Sequence, residues 1–184
     1  MDSDNQKIEI EQLKKGVFSD DWELVNFSAD KLGKIGGEEV VDFLISLIAL
    51  DAVGIRNRAA LALEDIKDNR ALEPLLKAIF KKENHNYNGT MVFALESLDC
   101  SKKFKEIFRI LFYESYEAKL SAHAILNNQK FEFTKQDLLD IQEMWEDCKL
   151  CTEKCHEYDE SKEMIEDDIK GFLTYFKSQN KKSK

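Results

Sequence analysis

The chain is poor in residues that interrupt helices and in residue patterns that do chemistry. It has one proline and seven glycines in 184 residues. Folds built from many tight turns need more of both, so long turn-rich sheets are excluded and helices joined by short polar loops are predicted. There are only three histidines. There is no glycine loop ending in Lys-Ser or Lys-Thr, no Gly-x-Ser-x-Gly and no His-Glu-x-x-His. No enzymatic activity and no cofactor are therefore expected. Long apolar runs are also missing. The longest, Val40 to Leu50, is interrupted by Asp42 and is too short to cross a bilayer. The polar start Met1–Lys7 carries no signal-peptide pattern. The expected compartment is the cytoplasm, with Cys100, Cys148, Cys151 and Cys155 as thiols.

What the chain does have is acid, unevenly spread. Net charge is −9. Residues 1–50 carry 11 acids and 5 bases, residues 146–170 carry 10 and 4, and residues 171–184 carry four lysines and no acid. General nucleic-acid binding needs a broad cationic footprint and is excluded. An acidic surface fits a basic protein partner, and it equally serves solubility. No membrane partner is expected, and the free chain is expected to be a monomer.

The chain also repeats itself. Leu24 to Ile35 lies over Ile55 to Ile66 at an offset of 31, and Tyr87 to Leu98 follows at an offset of 32. Each copy pairs two helical stripes, the signature of a stacked array. Helices are predicted over about 20–35 and 38–50, 53–66 and 70–82, and 88–98 and 102–113. Gly36-Gly37 ends the first helix of repeat one, and Pro74 falls in a first helical turn. A lead-in helix over 5–16 has Ile8 and Leu13 apolar. A degenerate repeat and cap occupy 115–178, with a helix over 115–127, another capped by Thr134 and a last one over 162–177. The reading is one all-α domain, residues 1–178, a right-handed α-solenoid of about four helix pairs plus terminal caps. Residues 179–184 form a basic disordered tail in this reading.

Ile55-Arg56, Ala59-Ala60, Leu63, Ile66, Asp68, Ala71-Leu72, Pro74-Leu75 and Ile79 resemble the HEAT-like repeat of the type named for phycobilisome lyase subunits. Leu32-Gly33-Lys34-Ile35-Gly36 matches its Leu-Gly-x-Ile-Gly turn. The resemblance implies the solenoid fold. It leaves function open, because the family includes lyase subunits, DNA-repair proteins, scaffolds and bacterial inhibitors. A small acidic solenoid also resembles bacterial immunity proteins that neutralise a toxin. A lyase or chaperone subunit is a further reading by family analogy.

In such arrays the second helices line the concave face. Register matching puts Asp42, Glu73 and Lys105 in one row and Ser46, Lys77 and Arg109 in the next. Phe80, Phe112 and Tyr113 stand at the edge. Asp42, Glu73, Lys77, Phe80, Lys105, Arg109, Phe112 and Tyr113 are thus the expected partner-binding residues, with Phe80 and Phe112 open to the alternative of packing between repeats.

Cys148, Cys151, Cys155 and His156 have the ligand types of a tetrahedral zinc site and could serve a metal- or redox-responsive regulator. On a continuous helix, however, Trp145, Cys148, Cys151, Cys155 and Tyr158 form an apolar stripe, so core packing is the competing reading. His85 and His123 read as structural. The acid pairs Asp20-Asp21 and Asp167-Asp168 read as solvated caps and faces, since adjacent residues point to different sides of a helix.

Overall fold

The computed structural model describes residues 2–151, 155 and 158–182. Ten α-helices account for most of them: α1 Asp2–Gly16, α2 Trp22–Ile35, α3 Glu38–Ile48, α4 Val53–Ile66, α5 Leu72–Ile79, α6 Gly89–Leu95, α7 Phe104–Tyr113, α8 Tyr116–Asn128, α9 Lys135–Leu150 and α10 Tyr158–Lys182. No strand occurs among the described residues. The fold is an α-solenoid of helix pairs, and it divides into two compact units, residues 1–98 and 99–184.

In the first unit α2 packs along α4, α3 packs on α4 and α5, and α6 packs on α4 and α5. Val25, Ala29 and Leu32 of α2, Leu44 and Leu47 of α3, Ala59 and Leu63 of α4, and Leu75 and Ile79 of α5 are buried together. These are the predicted stripes, with two corrections. For the first helix of repeat one the predicted stripe is Leu24, Val25, Ser28, Leu32 and Ile35; Leu24 is exposed, and Ala29 and Gly33 are buried instead. In α1, Ile8 is exposed and Ile10 buried beside Leu13. In both cases the neighbouring helix meets a face rotated by one or two positions.

The helix ends follow the sequence closely. Asp21 caps α2 by accepting from the Glu23 amide at 2.9 Å. Gly36 (φ +60°) and Gly37 (φ +86°) make the turn into α3, and the Gly36 amide donates to the Leu32 carbonyl at 2.9 Å. Gly33 has a different task. A Cβ there would lie 3.2 Å from the Ala62 Cα, so its absence lets the α2 and α4 backbones approach. The second helix of repeat two is shorter than predicted: residues 69–71 form a 3-10 turn, opened by Asp68, before α5 begins.

The third predicted repeat is divided. Its first helix, α6, belongs to the unit of residues 1–98, and its second, α7, to the unit of residues 99–184. In the second unit α7 packs on α8 and α9, and α10 packs on α8 and α9. Thr134 caps α9 in a reciprocal capping box with Asp137. The last helix continues to Lys182, past the predicted end near 177, so residues 179–182 are helical where a disordered tail was expected. No glycine or proline stops it after Gly171, and lysines suit a helix C-terminus.

Candidate functional site

The second helices α3 and α5 lie side by side and turn their apolar stripes inward. Their outer positions therefore form the walls of a groove of about 640 Å3. Ile45, Ser46 and Ala49 come from α3 and its cap, Glu73, Pro74 and Lys77 from α5, and Lys81 closes the end. The Lys81 ammonium reaches the Ala49 carbonyl at 3.5 Å. Of the predicted partner-binding residues, Glu73 and Lys77 line this groove and both are exposed. Asp42 is exposed too, but Arg70 takes it in an ion pair at 3.1 Å while also binding Asp68 at 2.9 Å. Phe80, the C-cap of α5, is half-buried.

The remaining four lie on α7 in the other unit. Lys105 is exposed and paired with Asp137 and Asp140, each at 3.3 Å. Arg109 is exposed and Tyr113 half-buried, its hydroxyl donating to the Met144 carbonyl at 3.4 Å. Phe112 must be withdrawn as a partner contact. It is fully buried and stacked on Trp145 at 5.8 Å between ring centres, which is the packing alternative.

The cysteine segment also departs from expectation. The helix does not run through it: α9 ends at Leu150 with Cys151 as its cap, and Cys155 sits in a bend before α10. Cys148 and Cys155 are nonetheless both buried, and Trp145 stacks on Tyr158 at 5.6 Å. Cys151 is half-buried. The Cys148 and Cys155 thiols are hydrogen-bonded to each other. Beside them stands Lys119, which is fully buried, its ammonium 3.6 Å from the Cys155 sulfur and 3.3 Å from the Ser161 hydroxyl. The Cys148 hydrogen bond and the Lys119 charge draw the Cys155 thiol down to about 6, while the same pairing and burial push Cys148 up. No three His, Cys, Asp or Glu residues gather as metal ligands among the described residues, and His156 lies outside them.

One constellation escaped the sequence reading. Asp168 is not a solvated face residue but 6% exposed. Its carboxylate takes His123 Nδ1 at 2.8 Å and the Asn127 amide at 2.9 Å. Burial raises its pKa and these two partners offset part of that rise. The contact spans 45 residues of chain between α8 and α10. Only the pairing of those helices makes it, and no local motif marks it.

Among the described residues no helix is long and apolar enough to cross a membrane. Comparison with curated proteins gives no match. Comparison with protein families does: residues 10–96 match the model for HEAT repeats, the stretch that contains α2 to α6 and the groove. Residues 10–96 of the chain therefore carry HEAT repeats.

Proposed function

We propose that this protein is a non-catalytic, cytoplasmic binding module that holds a partner protein in the groove between α3 and α5. HEAT repeats are in general protein-interaction modules, and the groove lies inside the matched stretch. The observation that carries the reading is the composition of its walls. Ile45, Ala49 and Pro74 supply an apolar floor, and Glu73 and Lys77 supply exposed charges of opposite sign at its margin. An apolar centre with a polar rim is the anatomy of a protein-binding surface. The net charge of −9 favours a basic partner and fast encounter with it. An inhibitor of a basic enzyme, of the immunity-protein kind, is the finer form of this reading.

The test uses a photo-crosslinking residue at Ser46, with a second chain labelled at Asp30 on α2 as the control. The Ser46 chain is expected to trap a partner that the Asp30 chain does not. Binding of that partner is then compared for the natural chain, Ala49→Arg and Lys77→Glu. Both positions are exposed, so the melting temperature is expected to hold while affinity falls about tenfold or more. Unchanged affinity in both variants would remove the groove from the account.

A further inference from the structure

A second cavity, of about 330 Å3, lies within the unit of residues 99–184. One wall is α10, which contributes Asp168, Gly171, Phe172 and Tyr175. Their spacing is i, i+3, i+4, i+7, a single helix face. The opposite wall is the end of α8 and the segment after it, with Leu126, Asn127, Phe131 and Phe133. Phe131 and Phe133 turn to α10, 6.1 and 5.5 Å from Phe172 between ring centres, while the Glu132 amide between them donates to the Ser101 carbonyl at 2.9 Å. Tyr175 extends the aromatic lining, 6.2 Å from Phe133.

Gly171 is not held by tight packing. Glycine is disfavoured inside a helix, and α10 runs for 25 residues. Close approach of a second backbone is the common reason to keep one there, as at Gly33. At Gly171 a Cβ would meet nothing within 4 Å. Gly171 is exposed and lines the cavity, so a side chain added there would stand in open space at its wall.

The lining has a definite chemical preference. Four aromatic rings line it, and the faces of such rings attract cations. The Asp168 carboxylate is buried and fixed in place by His123 and Asn127, and the adjacent Asp167 is exposed at the margin. The cavity also receives the C-terminal end of α8, which carries partial negative charge. Among the described residues Lys130 is the only cationic one in the lining, and it is itself exposed.

The geometry points to a binding site for an organic cation, an alkylammonium group laid against Phe131, Phe133, Phe172 and Tyr175 with its charge beside Asp167 and Asp168. The volume is at the small end for ligand cavities and suits a single such group. A free amine and a lysine side chain of a partner share that chemistry. The site uses no residue of the α3–α5 groove, so it stands or falls separately from it.

The experiment is an NMR titration of the full chain with choline, with its neutral carbon isostere 3,3-dimethylbutan-1-ol, and with a short peptide carrying one trimethyllysine. Choline or the peptide is expected to shift amide signals over 126–133 and 167–175 saturably, and the alcohol to bind about tenfold more weakly. The tighter of the two cations identifies the source. Gly171→Leu fills the space and is expected to abolish the shifts, and Tyr175→Ala, which opens an exposed edge, to weaken them several-fold. Ala49→Arg is expected to leave them unchanged. Equal binding of choline and the alcohol overturns the cation assignment. Undiminished binding by Gly171→Leu, or by Tyr175→Ala should the first variant not fold, overturns the site, as does the lack of saturable binding by either cation.

Discussion

Phe112 shows how much a single side chain decides. Its ring fills the space between Phe108 and Trp145, with ring centres 5.7 and 5.8 Å away, and it has no exposed surface. Phe112→Ala is therefore expected to cost about 3–5 kcal/mol of folding stability by emptying that space. A denaturant titration measures it, and a loss below about 1 kcal/mol would mean that the ring does not fill the core. The sequence could place Phe112 on α7 but not choose its side. Phe104, Phe108 and Phe112 repeat at i, i+4, i+8, which favours the core, but matching the repeats set Phe112 beside Phe80 in an outer row, so the sequence admits both a surface edge and a core. The eventual neighbour, Trp145, is 33 positions away. The same holds for Asp168. Its adjacency to Asp167 suggested a solvated pair, and only the folded contact with His123 and Asn127 removes it from water.

At the scale of elements, the helix starts were the most legible features, because a cap is a local event. Asp21, Asp68 and Thr134 each accept a hydrogen bond from a backbone amide two or three residues ahead. Thr134 is the informative one to change. It opens α9, the helix that supplies Asp137 and Asp140 to Lys105 and Trp145 to Phe112. Thr134→Ala loses the half of the capping box made by its hydroxyl, while the backbone amide keeps its bond to the Asp137 carboxylate, and it is expected to cost about 1 kcal/mol in thermal or chemical unfolding, with Thr134→Ser restoring most of it. An unchanged midpoint in the alanine variant would show that α9 needs no cap. The helix ends around Cys151 were illegible for the complementary reason. Leu150 to Cys155 contains neither glycine nor proline, and an apolar stripe with helical spacing continued straight across the break. The buried cluster of Cys148, Cys155 and Lys119 brings Cys148 of α9 and Cys155, which lies outside the helices, against α8, which a stripe drawn on one helix cannot anticipate.

For the molecule as a whole, repetition carried the fold and said little about the partner. Two copies at a fixed offset imply stacked pairs whatever residues occupy the outer faces, so α2 to α5 followed from pattern alone. The outer faces obey no such constraint. Asp42, Glu73 and Lys105 look like one graded row when aligned, yet Asp42 is held by Arg70 and Lys105 by Asp137 and Asp140. Each charge is answered locally. What survives at long range is the excess of acid, and its effect is on encounter. Association with a basic partner is expected to slow by about tenfold or more between low and physiological salt, with a smaller change in dissociation. Stopped-flow mixing over a salt series checks this, and a flat association rate would assign recognition to short-range contacts.

The buried ammonium of Lys119 constrains how the protein can change over generations. A cation with no exposed surface at the junction of α8 and α10 tolerates the loss of its thiol neighbour poorly, since the Ser161 hydroxyl that remains carries no charge to answer it and a buried charge is costly. Positions 119 and 155 are thus bound to drift as a couple: lysine kept with a thiol or a carboxylate, or both exchanged for hydrocarbon.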